Sequence, residues 1–293
     1  MLEPEPFAVP QTQAGRRQAR ILANLNPQQH AVVTAGEGPI LVVAGAGSGK
    51  TTALTRRVAY LIDQSVRPES ILLLTFTRAA AQSMLARAVG LTEEAERVVG
   101  GTFHAFSAQI LREAHAAFGL PRNFSILDPG DVTDAIKRCV ADVPLEDPSA
   151  NKPQASTIAK IISFSANTGD SIAKATAAKS PEWIARNDWI ESVRKHYVRY
   201  KLDRGLLDYD DLLIYLGHLL EDADLGPQVR NRFSHILVDE HQDSNHAQLR
   251  IVYGLGGKNG NVLAVGDPAQ AIYPGLFVKA EAAKAILCYK HVD

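Results

Sequence analysis

The stretch AGAGSGKTT, Ala44 to Thr52, has the residue types and spacing of a loop that wraps phosphate groups. It fits G-x-x-x-x-G-K-[ST] with one change, Ala44 standing in the place of the first glycine. Gly45, Gly47 and Gly49 admit backbone angles closed to other residues, so with Ala46 and Ser48 between them they can turn successive N–H groups inward towards phosphate oxygens. Lys50 is then placed to reach the β- and γ-phosphates, and the Thr51 hydroxyl to ligate Mg²⁺, with Thr52 facing the helix interior or solvent. Far along the chain, SHILVDEHQDSN runs an apolar segment straight into a carboxylate cluster. Asp239 would anchor Mg²⁺ a second time, and Glu240 would orient or deprotonate the attacking water. A third segment, AVGDPAQAIY, offers Gln270 as a hydrogen-bond partner of the γ-phosphate that could sense its loss. Lys50, Asp239, Glu240 and Gln270 are thus the candidate catalytic residues, and a nucleotide phosphate with Mg²⁺ the implied ligands.

These groups need elements that bring them to one place. Pro39 to Ala44 (PILVVA) reads as a buried parallel strand, and Thr51 to Asp63 has helical apolar spacing at Leu54, Val58, Leu61 and Ile62. The alternation continues with a strand at Ile71 to Thr77, a helix from Arg78 to Val89, a short strand at Arg97 to Thr102 and a helix from Phe103 to Phe118. Two more strands are expected at Ser234 to Asp239 and Asn261 to Asp267. Strands alternating with helices imply an α/β fold with a parallel sheet covered on both faces. Between residues 108 and 204 the pattern becomes amphipathic helices broken by proline and polar loops. The distance from Lys50 to Asp239 is too long for one crossover, which supports a mostly helical insertion there. Its last helix is expected to carry Trp183 and Trp189 early and RKHYVRYKLDR, Arg194 to Arg204, late. That mixture suits either a nucleic-acid backbone or a solvated face with a Tyr and Trp core stripe.

Composition narrows the class only a little. A chain of 293 residues with 31 basic and 32 acidic side chains can bury a large core and shows no global charge excess. Cys139 and Cys288 lie far apart and form no metal cluster or disulfide framework, as expected of ordinary packing residues in a reducing compartment. No apolar run approaches a membrane span and no signal pattern opens the chain, so a cytoplasmic location is expected. Residues 1–24 read as a mobile arm or a short terminal helix.

Seven blocks in order, LNPQQ with Gln29, AGAGSGKT, LLTFTRAAAQSM, GTFHAF, LDYDDLL, ILVDEHQDSN and VGDPAQAIY, resemble those of superfamily 1 DNA helicases of the UvrD, PcrA and Rep type. The resemblance covers most of residues 25 to 273 and concerns the N-terminal, ATP-binding half of such proteins. It implies a RecA-like domain at 25–107 and 205–275, a helical subdomain inserted at 108–204, and a diverged tail at 276–293. It also implies that Gln29 reads the adenine edge, a task for a side chain with both a donor and an acceptor. Thr75, Phe76, Thr77, Thr102, Phe103 and His104 fall in blocks that line a single-strand DNA track in the family, and Tyr273 joins them as a DNA-binding candidate. Hydroxyls suit phosphates and rings suit stacked bases, although core packing competes as a reading of Phe76 and Phe103. The implied partner is single-stranded DNA or a 3′-tailed duplex, with 3′ to 5′ movement and a repair or replication role for the complete protein.

The pattern fails after Tyr273, where PGLFVKAEAAKAILCYKHVD replaces the family's aromatic and arginine-containing stretch. Gly275 occupies the position of the expected stacking aromatic and Phe277 comes two places later. The second RecA-like domain, which supplies arginines to the γ-phosphate in the family, is not found in this sequence, so the chain looks truncated. It is expected to bind Mg-ATP weakly, hydrolyse it slowly and not unwind a duplex alone. The alternatives are a stand-alone ATP- and DNA-binding module, an ATPase subunit of a helicase–nuclease complex, or a P-loop kinase or small GTPase. The DEHQD block and the missing N-K-x-D segment weigh against the last pair.

Overall fold

The computed structural model describes residues 13–45, 47–145, 147, 149–257, 260–267, 269 and 284–288. Ala46, Gln270, Tyr273, Gly275 and Phe277 lie outside the described residues. Two compact units are present, one running to Phe103 and resuming at Pro227–Ser244 and from Leu255, the other made of His104–Gly226 and Asn245–Gly254. The second unit therefore takes in more chain than the helical insertion expected at 108–204.

The first unit is built on a parallel sheet. Its strands are β1 (Ile40–Ala44), β2 (Ile71–Thr75), β3 (Val99–Thr102), β6 (His235–Val238), β7 (Asn261–Gly266) and β8 (Lys284–Cys288), in the order β3-β2-β6-β7-β1-β8. Continuous runs such as ILVVA and ILLLT form these strands because both faces of the central ones are covered, leaving no place for alternating polar residues. Around the sheet lie α1 (Gln13–Leu22), α2 (Pro27–Val33), α3 (Lys50–Asp63) and α4 (Arg78–Val89). Leu54, Val58 and Leu61 of α3 join Val42, Leu73, Leu237 and Val265 of the strands in one buried cluster. Ile21 of α1 enters the same cluster and Arg17 pairs with Asp63 at 2.8 Å, so the later part of the expected N-terminal arm is a docked helix. Register places Leu74 opposite Val238, Val238 opposite Ala264, and Val43 opposite Gly266. The loops that follow β1, β2, β6 and β7 therefore emerge at one edge, where α/β sheets bind ligands. Within the diverged tail, the strand β8 pairs with β1 from Ile40↔Lys284 to Ala44↔Cys288, an element not expected from the sequence.

The second unit contains α5 from His104 onward (the helix spans Phe103–Glu113), β4 (Ser125–Ile126), α6 (Pro129–Asp142), α7 (Ala155–Thr168), α8 (Ile172–Lys179), α9 (Asn187–Asp203), β5 (Leu206–Leu207) and α10 (Tyr209–Glu221). The short helix α11 (Leu225–Arg230) and α12 (His246–Gly256) each cross a unit boundary. The α5 helix stops five residues short of the expected Phe118, because the chain tightens into a 3-10 turn at His115–Phe118 and reverses at Gly119 with φ 65°. Trp183 is not on α9: it sits in a separate 3-10 turn, Pro181–Arg186, which Pro181 initiates. Trp189, Ile190, Val193 and Tyr197 form the buried stripe of α9 against Ile136, Cys139, Ile158 and Ile161. Its basic residues are partly consumed internally. Arg194 chelates Glu191, and buried Lys201 pairs with Asp208 and Asp211 while Tyr197 donates to Asp208 Oδ2 at 2.9 Å. Burial, then the neighbouring Asp208, pushes the Asp211 carboxyl up to about 6. The core-stripe reading thus describes much of this helix. No helix among the described residues is long and apolar enough to cross a membrane.

His235 opens β6 and is buried, and its pKa is lowered by burial and then by Arg57. The unfolded chain binds a proton near pH 6.5 that the folded chain refuses, so stability is retained above that pH and lost as pH falls through the window below it. Urea midpoints should decline from pH 7.5 to 5.5, and His235→Leu should flatten that decline.

Candidate nucleotide site

The loop after β1 turns on two glycines in the left-handed region, Gly47 at φ 72° and Gly49 at φ 83°. Helices α2, α6 and α10 close their first turns with side-chain capping boxes, Asn26 with Gln29, Asp128 with Asp131, and Asp208 with Asp211. At the start of α3 the cap is Gly49 and no side chain bonds to the first turn. Its N–H groups are therefore open to an incoming anion, which the helix dipole also favours. Gln29 Nε2 donates to the Ser48 carbonyl at 2.8 Å, and Gln29 Oε1 accepts from Asn26 N at 3.2 Å. Both ends of that amide are engaged, so it joins α2 to the loop, and reading an adenine edge would require it to exchange partners. A Cβ added at Gly49 would strike Gln29 Nε2 besides adopting an unfavourable φ. Gly49→Ala should lower the urea-derived stability by at least about 1–2 kcal/mol, with nucleotide binding weakened further.

The carboxylates come from the end of β6. Asp239 N donates to Leu74 O at 3.0 Å, extending the ladder with β2 by one residue and holding Asp239 at the sheet edge. Its side chain is buried, and Oδ1 has no hydrogen-bond partner among the described residues. Burial, then the adjacent Glu240, pushes the Asp239 carboxyl up to about 6. Such a group gains from a cation at its open oxygen. Glu240 adopts φ 48°, a left-handed angle uncommon for a side-chain-bearing residue and often found at functional turns. Its Oε2 lies 3.3 Å from Lys50 Nζ, with the lysine side chain 9% and the glutamate 40% exposed. The pair joins the loop after β1 to the end of β6, two strands away in the sheet. His241 is held down to about 4 by burial and so brings no positive charge beside Glu240 at neutral pH.

Ala44 is buried at the end of β1, Gly45 O accepts from Ser48 N at 3.3 Å, and the Ser48 hydroxyl is buried without a partner among the described residues. Thr51 is half-buried at the start of α3 and Thr52 is exposed. Thr75 is buried and donates to Thr77 O at 2.9 Å, while Thr77 caps α4 through Ala80 N. Phe76 is half-buried and meets the fully buried Phe103 edge to face at 6.1 Å. With Phe103 and Thr75 turned into the core, Phe76, Thr77 and Thr102 keep surface to offer a ligand. In the helical unit, His104 packs edge to face with exposed Tyr209 at 5.7 Å, and burial lowers its pKa.

Residues 25–284 match the family described as the UvrD/REP helicase N-terminal domain. The chain belongs to this family. It is similar to the ATP-dependent DNA helicase PcrA of Staphylococcus epidermidis strain RP62A, 36% identical over 256 residues that cover 86% of this chain and 34% of that protein. PcrA of Staphylococcus aureus strain Mu50 is 35% identical over 259 residues, with 86% and 34% covered. The chain thus spans about a third of the length of these curated relatives. The resemblance read from the ordered blocks is borne out by this match, as is the α/β fold with a parallel sheet.

One residue of this UvrD/REP domain site escaped the sequence reading. Gln242 is buried in the 3-10 turn after β6, donates through Nε2 to Glu240 Oε2 at 2.7 Å and accepts from Asp267 N at 3.0 Å. The signal was the polar residue two places beyond Glu240, read only as part of an acidic loop.

Proposed function

We propose that this chain binds ATP through the loop Ala44 to Thr52, hydrolyses it to ADP and phosphate, and presents Phe76, Thr77, Thr102 and His104 to single-stranded DNA. The observation that carries the reading is the 3.3 Å contact between Lys50 and Glu240, which puts the phosphate-seeking cation and the base candidate in one cluster. In the reaction, water attacks the γ-phosphorus, the bond to the β,γ-bridging oxygen breaks, and Glu240 orients that water and takes its proton. Lys50 leaves Glu240 to contact the β- and γ-phosphate oxygens, and the open N–H groups of α3 hold the same anion.

A magnesium ion fits the residues present. Asp239 Oδ1 is a buried carboxylate oxygen without a partner among the described residues, and the Thr51 hydroxyl adds a second hard oxygen donor of the kind Mg²⁺ prefers. Thr51 and Asp239 would hold the ion, which supplies charge neutralisation on the phosphates when bound.

The domain division into a RecA-like part and a helical insertion, Gln270 as a γ-phosphate sensor and Tyr273 as a DNA contact belong to the same proposal, as does an intracellular setting. Translocation, 3′ to 5′ unwinding and a role in repair or replication are proposed for the longer family proteins. The test is steady-state ATP hydrolysis by the purified chain with and without single-stranded DNA. Stimulation of about tenfold or more, an energy change of ~1.4 kcal/mol in the barrier, supports a DNA-responsive motor domain. Phosphorylated product with no response to DNA would favour a kinase instead.

A further inference from the structure

Glu240 Oε2 forms an ion pair with Lys50 Nζ at 3.3 Å and accepts a hydrogen bond from Gln242 Nε2 at 2.7 Å. In the reading above, Lys50 turns to the phosphates when nucleotide binds, which leaves Gln242 as the donor still fixing that oxygen. The other end of the Gln242 amide accepts from the backbone N–H of Asp267, the residue that follows β7. Asp267 is itself buried, and its Oδ1 accepts from Ala269 N at 3.0 Å. Glu240 has a left-handed backbone and a side chain 40% exposed, so little else in its own conformation fixes where the carboxylate points. A base must lie within hydrogen-bond reach of the proton it accepts, and a misplacement of about 1 Å can cost ~10²-fold in rate.

We propose that Gln242 is a positioning residue for Glu240: it holds Oε2 so that Oε1 meets the attacking water, and it ties that aim to Asp267 at the end of β7. The inference rests on the nucleotide-hydrolysis reading and extends it to a residue that touches neither substrate nor metal. It also makes the end of β7 part of the catalytic geometry, since a shift of Asp267 would be passed through one amide to Glu240.

Two variants release Glu240 Oε2 from the amide. Gln242→Glu keeps an acceptor for Asp267 N–H and removes the donor to Glu240, whereas Gln242→Met removes both. With Mg-ATP and single-stranded DNA, both variants should lose ~10²-fold in kcat while KM for Mg-ATP stays within about twofold. Combined with Glu240→Gln, either should add almost nothing to the loss, because the two residues act as one unit. Wild-type kcat in a folded Gln242→Glu chain, or losses that multiply in the Glu240→Gln background, would overturn the proposal. A further measurement needs neither turnover nor a Gln242 variant: the Gln242 side-chain amide signals in a ¹⁵N–¹H spectrum of the nucleotide-free chain should shift on Glu240→Gln. Signals that do not move would overturn the contact itself. Failure of the wild-type chain to bind Mg-ATP would instead contradict the function reading, and the amide spectrum would still decide whether Gln242 grips Glu240.

Discussion

Lys50→Ala is expected to lower the affinity of the chain for Mg-ATP by ~10²–10³-fold and to reduce hydrolysis to background. The lysine side chain is nearly buried, opens α3 and faces the carboxylate end of β6, so its ammonium is the charge that phosphate oxygens meet on entering the loop. In a partly dehydrated cleft such a charge-assisted contact is worth far more than at an open surface. The fold should survive the substitution. Helix α3 is held by Leu54, Val58, Leu61 and Ile62 against the sheet, and the Lys50–Glu240 pair is open to solvent on the glutamate side. Pairs of that kind contribute about 0–1 kcal/mol. The check is an equilibrium titration with a fluorescent ATP analogue alongside a thermal melt: a melt close to wild type with binding lost is the expected result. Binding within twofold of wild type would remove Lys50 from the site.

Glu240→Gln should leave nucleotide affinity unchanged or higher and slow hydrolysis by ~10²–10⁴-fold, the range spanned by general acid–base catalysis. The amide keeps the shape of the carboxylate but cannot take the proton of the attacking water. It also removes a negative charge beside Lys50, which frees that lysine for phosphate. The opposite signs expected for affinity and turnover separate this residue from Lys50, where both fall. Single-turnover hydrolysis measured with a parallel binding curve would resolve the two.

Much of this arrangement is legible in the sequence. The strands at Ile71 and Asn261 and the helix at Arg78–Val89 follow from apolar runs and periodicity, because sheet burial on both faces leaves few other patterns for a sequence to carry. The phosphate loop was readable for a different reason: Gly47 and Gly49 need angles that few other residues adopt. Hydrogen-bond direction left no such trace. Nothing in the sequence says that Gln29 also donates to Ser48, or that Gln242 reaches Asp267, since those links depend on how separate elements meet. Trp183 was misplaced because an apolar and aromatic rhythm runs through a 3-10 turn into α9 without a break in composition. The strand β8 is not legible because KAILC follows a stretch that departs from the family pattern, and a run of four apolar residues alone carries little weight.

The central claim is that the loop after β1 and the carboxylates after β6 form one Mg-nucleotide site. Calorimetric titration of the purified 293-residue chain with ATP, run with Mg²⁺ and again in EDTA, tests it most directly. One saturable site, tightened by Mg²⁺ and losing that tightening in Asp239→Asn, is the predicted result. No saturable binding, or binding indifferent to both Mg²⁺ and Asp239, would contradict the account.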